Sequence, residues 1–163
     1  MGDKKTLLSN SAITEIKKWL ARFPEDKKRS AIIPALMYVQ NENGGWLTES
    51  LIGEVANYLS MPKVHALEVA TFYSMFELKP VGKNKICVCT NISCMLCGSG
   101  DVVKYLKEKL NIGFNEITED GKFSLKEVEC LAACGGAPAM QIGEQYYENL
   151  TPEKIDQILS ALE

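Results

Sequence analysis

Lys85-Ile-Cys-Val-Cys89-Thr-Asn-Ile-Ser-Cys94 begins as a short β-branched, apolar run and then turns polar. That is the pattern of a buried strand giving way to a loop. Further on, Phe123-Ser-Leu-Lys-Glu-Val-Glu129 alternates as a half-buried strand and runs directly into Cys130-Leu-Ala-Ala-Cys134. Between these stretches, Asp101 to Leu110 predicts a helix with Val103, Leu106 and Leu110 in register. Met140-Gln-Ile and Gln145-Tyr-Tyr-Glu148 predict a hairpin around Gly143. Thr151-Pro152 then supplies a cap and a first-turn proline for a last helix that buries Ile155, Ile158, Leu159 and Leu162. Strand, helix, strands and helix in this order predict an α/β layout of thioredoxin-like type over residues 81–163.

Upstream, the pattern is helical. Ile13, Ile16, Leu20 and Phe23 recur at helical spacing, with Trp19 beside them. A second helical stretch follows Pro24 and runs to Gln40, with a kink expected at Pro34, whose missing N–H leaves one bond unmade. Asn41-Glu-Asn-Gly-Gly45 is a turn. Thr48 is a good N-cap for a third stretch carrying Leu51, Ile52, Val55, Ala56 and Leu59, and Pro62 opens a fourth that extends to Phe76. Four short helices predict a small bundle over residues 1–80, and Leu78-Lys-Pro-Val-Gly-Lys-Asn84 marks the boundary. Phe72, Tyr73 and Phe76 read as core or interdomain packing, with a partner surface as the alternative.

Composition narrows the function classes. The chain has 163 residues, a net charge of −3 and mixed acidic and basic residues. This excludes the basic face that nucleic acid requires, and it sets aside a DNA-binding helix-turn-helix over residues 48–74. The longest apolar run, Ala31 to Val39, contains a proline and falls far short of the roughly 20 residues of a bilayer span. No export signal is read over Met1 to Asn10, and no convincing acylation signal at Met1-Gly-Asp-Lys-Lys-Thr6. There is no G-x-G-x-x-G, phosphate loop or G-x-S-x-G, so the chain is expected to lack catalytic residues and a substrate site of its own.

The six cysteines all lie between residues 87 and 134. In a reducing compartment, clustered thiols more often serve metal or redox chemistry than disulfides. Cys89 with Cys94, and Cys130 with Cys134, form two pairs placed where strands end. A strand end fixes the first thiol, and the loop folds back to present the second. Four thiolates suit a [2Fe-2S] cluster. Cys94, Cys97, Cys130 and Cys134 also suit structural zinc. Cys94 and Cys97, after a strand and before a helix, suit a dithiol oxidoreductase. Spacing leaves all three readings open. Gly135 and Gly136 are expected to bring backbone N–H groups onto the cluster sulfurs. Cys87 reads as a small buried hydrophobe and Cys97 as a spare thiol. His65 is the single histidine and reads as a surface residue, which excludes Rieske ligation by two histidines.

Several longer stretches carry a resemblance. Gly45-Trp-Leu-Thr48, Glu68-Val-Ala-Thr-Phe-Tyr-Ser-Met-Phe76, Leu78-Lys-Pro-Val-Gly82, Val88-Cys-Thr-Asn-Ile-Ser-Cys94, Glu129-Cys-Leu-Ala-Ala-Cys134 and Ala137-Pro138 are similar to signatures of the small iron–sulfur (NuoE-type) subunits of NADH-quinone oxidoreductase, respiratory complex I. The resemblance implies an N-terminal helical part and a thioredoxin-like [2Fe-2S] ferredoxin domain. It implies one cluster on Cys89, Cys94, Cys130 and Cys134, exchanging single electrons with a larger subunit that carries FMN and the NADH site. It further implies a cytoplasmic place in the peripheral arm of a membrane complex, without membrane insertion of this chain. Equivalent subunits occur in NAD-linked hydrogenases and formate dehydrogenases. The chain departs from the family pattern at Cys97, commonly not a thiol, and at Gly135-Gly136, commonly bulkier.

Overall fold

The computed structural model describes residues 6–162. The stretch read for export or acylation signals therefore lies partly outside the described residues. The chain divides into two compact units, one ending at Pro80 and the other starting at Val81.

In the first unit, α1 (Asn10–Leu20) starts on Ser9, whose Oγ accepts the Ala12 N–H at 2.9 Å. Lys17 and Lys18 sit in its last turn, where the helix dipole favours cations. The expected single helix after Pro24 is instead a 3-10 turn, Glu25–Ala31, followed by α2 (Ile32–Glu42). The break falls at Lys27 (φ −114°, ψ 28°) rather than at Pro34. Pro34 occupies the first turn of α2, where its N–H would have had no helical partner, so it interrupts nothing. Thr48 caps α3 (Glu49–Tyr58) as expected, its Oγ1 accepting the Leu51 N–H at 3.1 Å. Pro62 precedes α4 (Lys63–Phe72).

That fourth helix stops before Phe76, and the reason lies in α2. Gln40 is buried, and its Nε2 donates to the Met75 carbonyl at 3.1 Å while its Oε1 accepts the Glu77 N–H at 2.7 Å. These bonds hold the post-helix segment in a path that tucks Phe76 into the core. Phe72 is left 79% exposed, which overturns its reading as a core residue but not the alternative of a partner surface. The core of this unit is built on Ile16, Leu36, Leu47, Ile52 and Leu59.

In the second unit, β1 (Asn84–Cys89) leads into a short helix, α5 (Ile92–Leu96), and then α6 (Ser99–Leu110). A two-residue edge strand, β2 (Glu116–Ile117), precedes β3 (Phe123–Val128). β4 (Met140–Ile142) and β5 (Gln145–Tyr147) form the expected hairpin, with Gly143 at φ 59°, and α7 (Pro152–Leu162) closes the fold. The sheet order is β2-β3-β1-β4-β5. β1 and β3 are parallel, from Asn84 opposite Phe123 to Cys89 opposite Val128, while the other pairs are antiparallel. A parallel pair needs a long crossover, which here contains α5 and α6. Ile86, Val88, Leu106, Leu125, Met140 and Ile155 form the centre of the core.

Two details differ from the periodicity. On α6 the most buried pair is Val102 and Leu106, with Val103 only half-buried. In β3, Phe123, Ser124 and Leu125 are all buried instead of alternating, because the strand is covered on both faces at this end. Gly82 contributes to that cover: a Cβ there would collide with the backbone of Phe123 and Ser124.

Two substitutions test these restraints. Gln40→Leu removes the bonds to the Met75 carbonyl and the Glu77 N–H and should cost about 1–3 kcal/mol, read as a lower urea midpoint. Gly82→Ala should cost a similar ~1–3 kcal/mol by overpacking, whereas Gly135→Ala, with nothing within 4 Å of the added carbon, should leave the midpoint unchanged.

Candidate metal centre

β1 and β3 end side by side, so the loops that follow them leave the sheet together. The first loop turns at Asn91, whose side-chain carbonyl accepts the Ile92 N–H at 2.7 Å and starts α5. That helix carries Cys94 inward. The second loop runs from Glu129 through Ala132, held at φ 56°, into a 3-10 turn over Cys134–Gly136 and a cis Ala137–Pro138 bond. Ala139 ties the two loops to β1, its carbonyl accepting the Cys89 N–H at 3.1 Å. Between the loops lies a cavity of about 110 Å³ lined by Cys89, Cys94, Cys130 and Cys134, with Leu131, Ala133 and Ala139 among its walls.

The four thiols differ in depth. Cys89 and Cys94 are buried, at 4% and 2% exposure, whereas Cys130 and Cys134 are exposed. Burial alone would push the Cys89 thiol up. Hydrogen bonds from the Asn91 backbone N–H, the Cys94 thiol, the Leu131 N–H and the Cys130 thiol outweigh it and bring Cys89 below the ordinary thiol range. Cys94 is pushed up, first by burial and then by its bond to Cys89, although the Ala139 N–H opposes this. The Ala132 N–H points at Cys130 Sγ at 3.2 Å.

Four backbone donors therefore converge on sulfur: the N–H groups of Asn91, Leu131, Ala132 and Ala139. The expected contribution of Gly136 is different in kind. Its N–H is taken by the Ala133 carbonyl at 3.1 Å, and its missing side chain makes room for Glu148. The signal for the true donors is faint in sequence, because alanine and leucine N–H groups are invisible until the loop path is known.

The cavity holds four thiols and no His, Asp or Glu, with Asn91 and Ser93 as its other polar residues and N–H groups aimed at the sulfurs. This chemistry fits a thiolate-ligated cluster. Among the described residues, no three His, Cys, Asp or Glu side chains converge tightly enough for a single ion. A binuclear core asks less of each position, since two protein thiolates per iron suffice. Cys97 does not line the cavity. It lies exposed at the C-terminal end of α5, its N–H bonded to the Ser93 carbonyl at 3.1 Å. Cys94 faces the cavity with three other thiols while Cys97 stands outside it, so the arrangement favours the four-thiol set over the Cys94–Cys97 reading. Cys87 is half-buried within β1 and also lies outside the cavity. His65 is exposed on α4 beside Glu68, at 2.9 Å.

Comparison with known proteins agrees with this geometry. Residues 16–163 match the family described as thioredoxin-like [2Fe-2S] ferredoxin. The NuoE-type subunit of NADH-quinone oxidoreductase from Rickettsia bellii (strain RML369-C) is 55% identical over 143 residues, covering 88% of this chain and 86% of the relative. Its counterpart from Rickettsia felis (strain ATCC VR-1525 / URRWXCal2) is 52% identical over 157 residues, covering 96% of this chain and 90% of the relative. An NAD+-reducing [NiFe]-hydrogenase in the air-oxidized state has a chain that shares the fold, with a TM-score of 0.67 at 18% identity over 86% of this chain; the match spans only 24% of that longer chain. With likeness of this extent in sequence and fold, the chain belongs to the thioredoxin-like [2Fe-2S] ferredoxin family, among the NuoE-type subunits of NADH-quinone oxidoreductase.

Proposed function

We propose that this chain is the electron-transfer subunit of an NADH-quinone oxidoreductase and holds one [2Fe-2S] cluster on Cys89, Cys94, Cys130 and Cys134. The observation that carries the assignment is the convergence of these four thiols on one cavity, with backbone N–H groups directed at their sulfurs. When bound, such a cluster supplies one-electron transfer without any bond made or broken in a substrate.

The chain's own residues do three things toward that chemistry. The thiolates bind. The N–H groups of Asn91, Leu131, Ala132 and Ala139 stabilise negative charge on sulfur. The walls around Cys89 and Cys94 keep water from the inner pair, while the outer pair stays open toward an electron partner. NADH and FMN belong on a larger partner subunit, which converts two-electron hydride chemistry into single electrons. No helix among the described residues is long and apolar enough to cross a membrane. A place in the peripheral arm, on the cytoplasmic side, fits that observation. Identity of 50–55% to the rickettsial NuoE-type proteins favours this complex over an equivalent role in an NAD-linked hydrogenase or formate dehydrogenase.

Anaerobically purified protein should be reddish-brown, with iron and acid-labile sulfide in equal amounts and about two of each per chain. Cys130→Ser should lose most of that iron and colour, while Cys97→Ser should retain both. A colourless wild-type chain, or one whose iron depends on Cys97, would overturn the ligand assignment.

A further inference from the structure

The short helix α5 presents two unlike faces. Cys94 and Ser93 line the cavity, but Ile92, Met95 and Leu96 do not. Spaced as i, i+3 and i+4, these three project from one outer face and are 66%, 58% and 77% exposed. Single exposed apolar residues are ordinary, whereas three contiguous ones on one helix turn mark a contact surface.

The two cysteine loops beside this face carry no cation of their own. No lysine or arginine occurs between Lys85 and Lys104, or between Lys126 and Lys154. Glu127 and Glu129 are exposed where β3 runs into the cysteine loop. Glu127 is held at the base of the α5 loop, where its carboxylate accepts the Thr90 hydroxyl at 2.7 Å. The Glu129 carbonyl lies 3.8 Å from Cys89 Sγ, which fixes that residue beside the thiols.

We infer that the outer face of α5 is the centre of the surface on which the electron partner docks, and that the partner's opposing edge is an apolar recess rimmed by lysine or arginine. This rests on the electron-transfer reading above. An apolar centre with a charged rim is the anatomy of a specific interface, and the carboxylates of Glu127 and Glu129 favour a partner with basic groups opposite them. A second copy of this chain is disfavoured as occupant, because its identical face would bring carboxylates against their like.

The test uses the cluster-loaded full chain and the FMN-bearing, NADH-oxidising subunit of the same complex, with affinity measured by titration and cluster content by visible absorbance. Leu96→Glu and Ile92→Glu should each weaken association about tenfold or more with the cluster retained. Ile117→Ser, on the edge strand β2, should change it little. Raising the salt should weaken the wild-type complex, and the Glu127→Gln/Glu129→Gln double variant should flatten that dependence. Wild-type affinity in both α5 variants, or an unchanged salt slope in the double variant, would overturn the docking face. A wild-type chain that dimerises through Leu96 would do the same. Absence of the cluster, or of NADH-driven reduction, from the wild-type chain would instead remove the electron-transfer reading itself.

Discussion

Everything at the metal centre depends on the parallel pairing of β1 with β3. Two parallel strands end at the same edge of a sheet, so the loops that follow are delivered to one place without further instruction. Here the register sets Cys89 opposite Val128, and the Thr90 N–H donates to the Val128 carbonyl at 3.3 Å just beyond it. Cys130 then follows two residues after Val128. The antiparallel neighbour β4 completes the arrangement, because the residue before it, Ala139, receives the Cys89 N–H and offers its own N–H to Cys94.

The sequence revealed the framework better than the fittings. Strands at Lys85–Cys89 and Phe123–Glu129, the Thr48 cap, the Gly143 hairpin and the last helix were legible because each rests on local chemistry: β-branched runs, a side-chain oxygen before a helix, a residue free to take positive φ. Spacing alone did not separate iron from zinc or dithiol chemistry; the longer signatures did. What escaped was set by tertiary contact. The α4 helix ends at Phe72 because Gln40, far upstream, claims the backbone beyond it. Helix propensity carries no trace of that. The path of the second cysteine loop, with Ala132 at positive φ, was equally hidden, so the N–H groups of Leu131, Ala132 and Ala139 that face the thiols could not be named from the sequence.

The centre also shows how one short loop can serve two environments. Five residues of α5 place Cys94 at 2% exposure and Leu96, two positions on, at 77%. A longer helix would have averaged these surroundings. A looser loop would have fixed neither. Asn91 makes the compact form possible by capping the helix on the same residue whose N–H reaches Cys89, so helix initiation and sulfur solvation share a single turn.

The β1–β3 pairing has a kinetic side as well. Cys89 and Val128 are 39 positions apart (128 − 89), and parallel partners can meet only after the crossover between them has condensed. Such non-local pairings carry a loop-closure entropy that must be met before their contacts form, which makes them late events in folding. Cys89 and Cys94 lie before β3 in the chain and Cys130 and Cys134 after it, so the cavity that gathers all four thiols exists only once the sheet has closed.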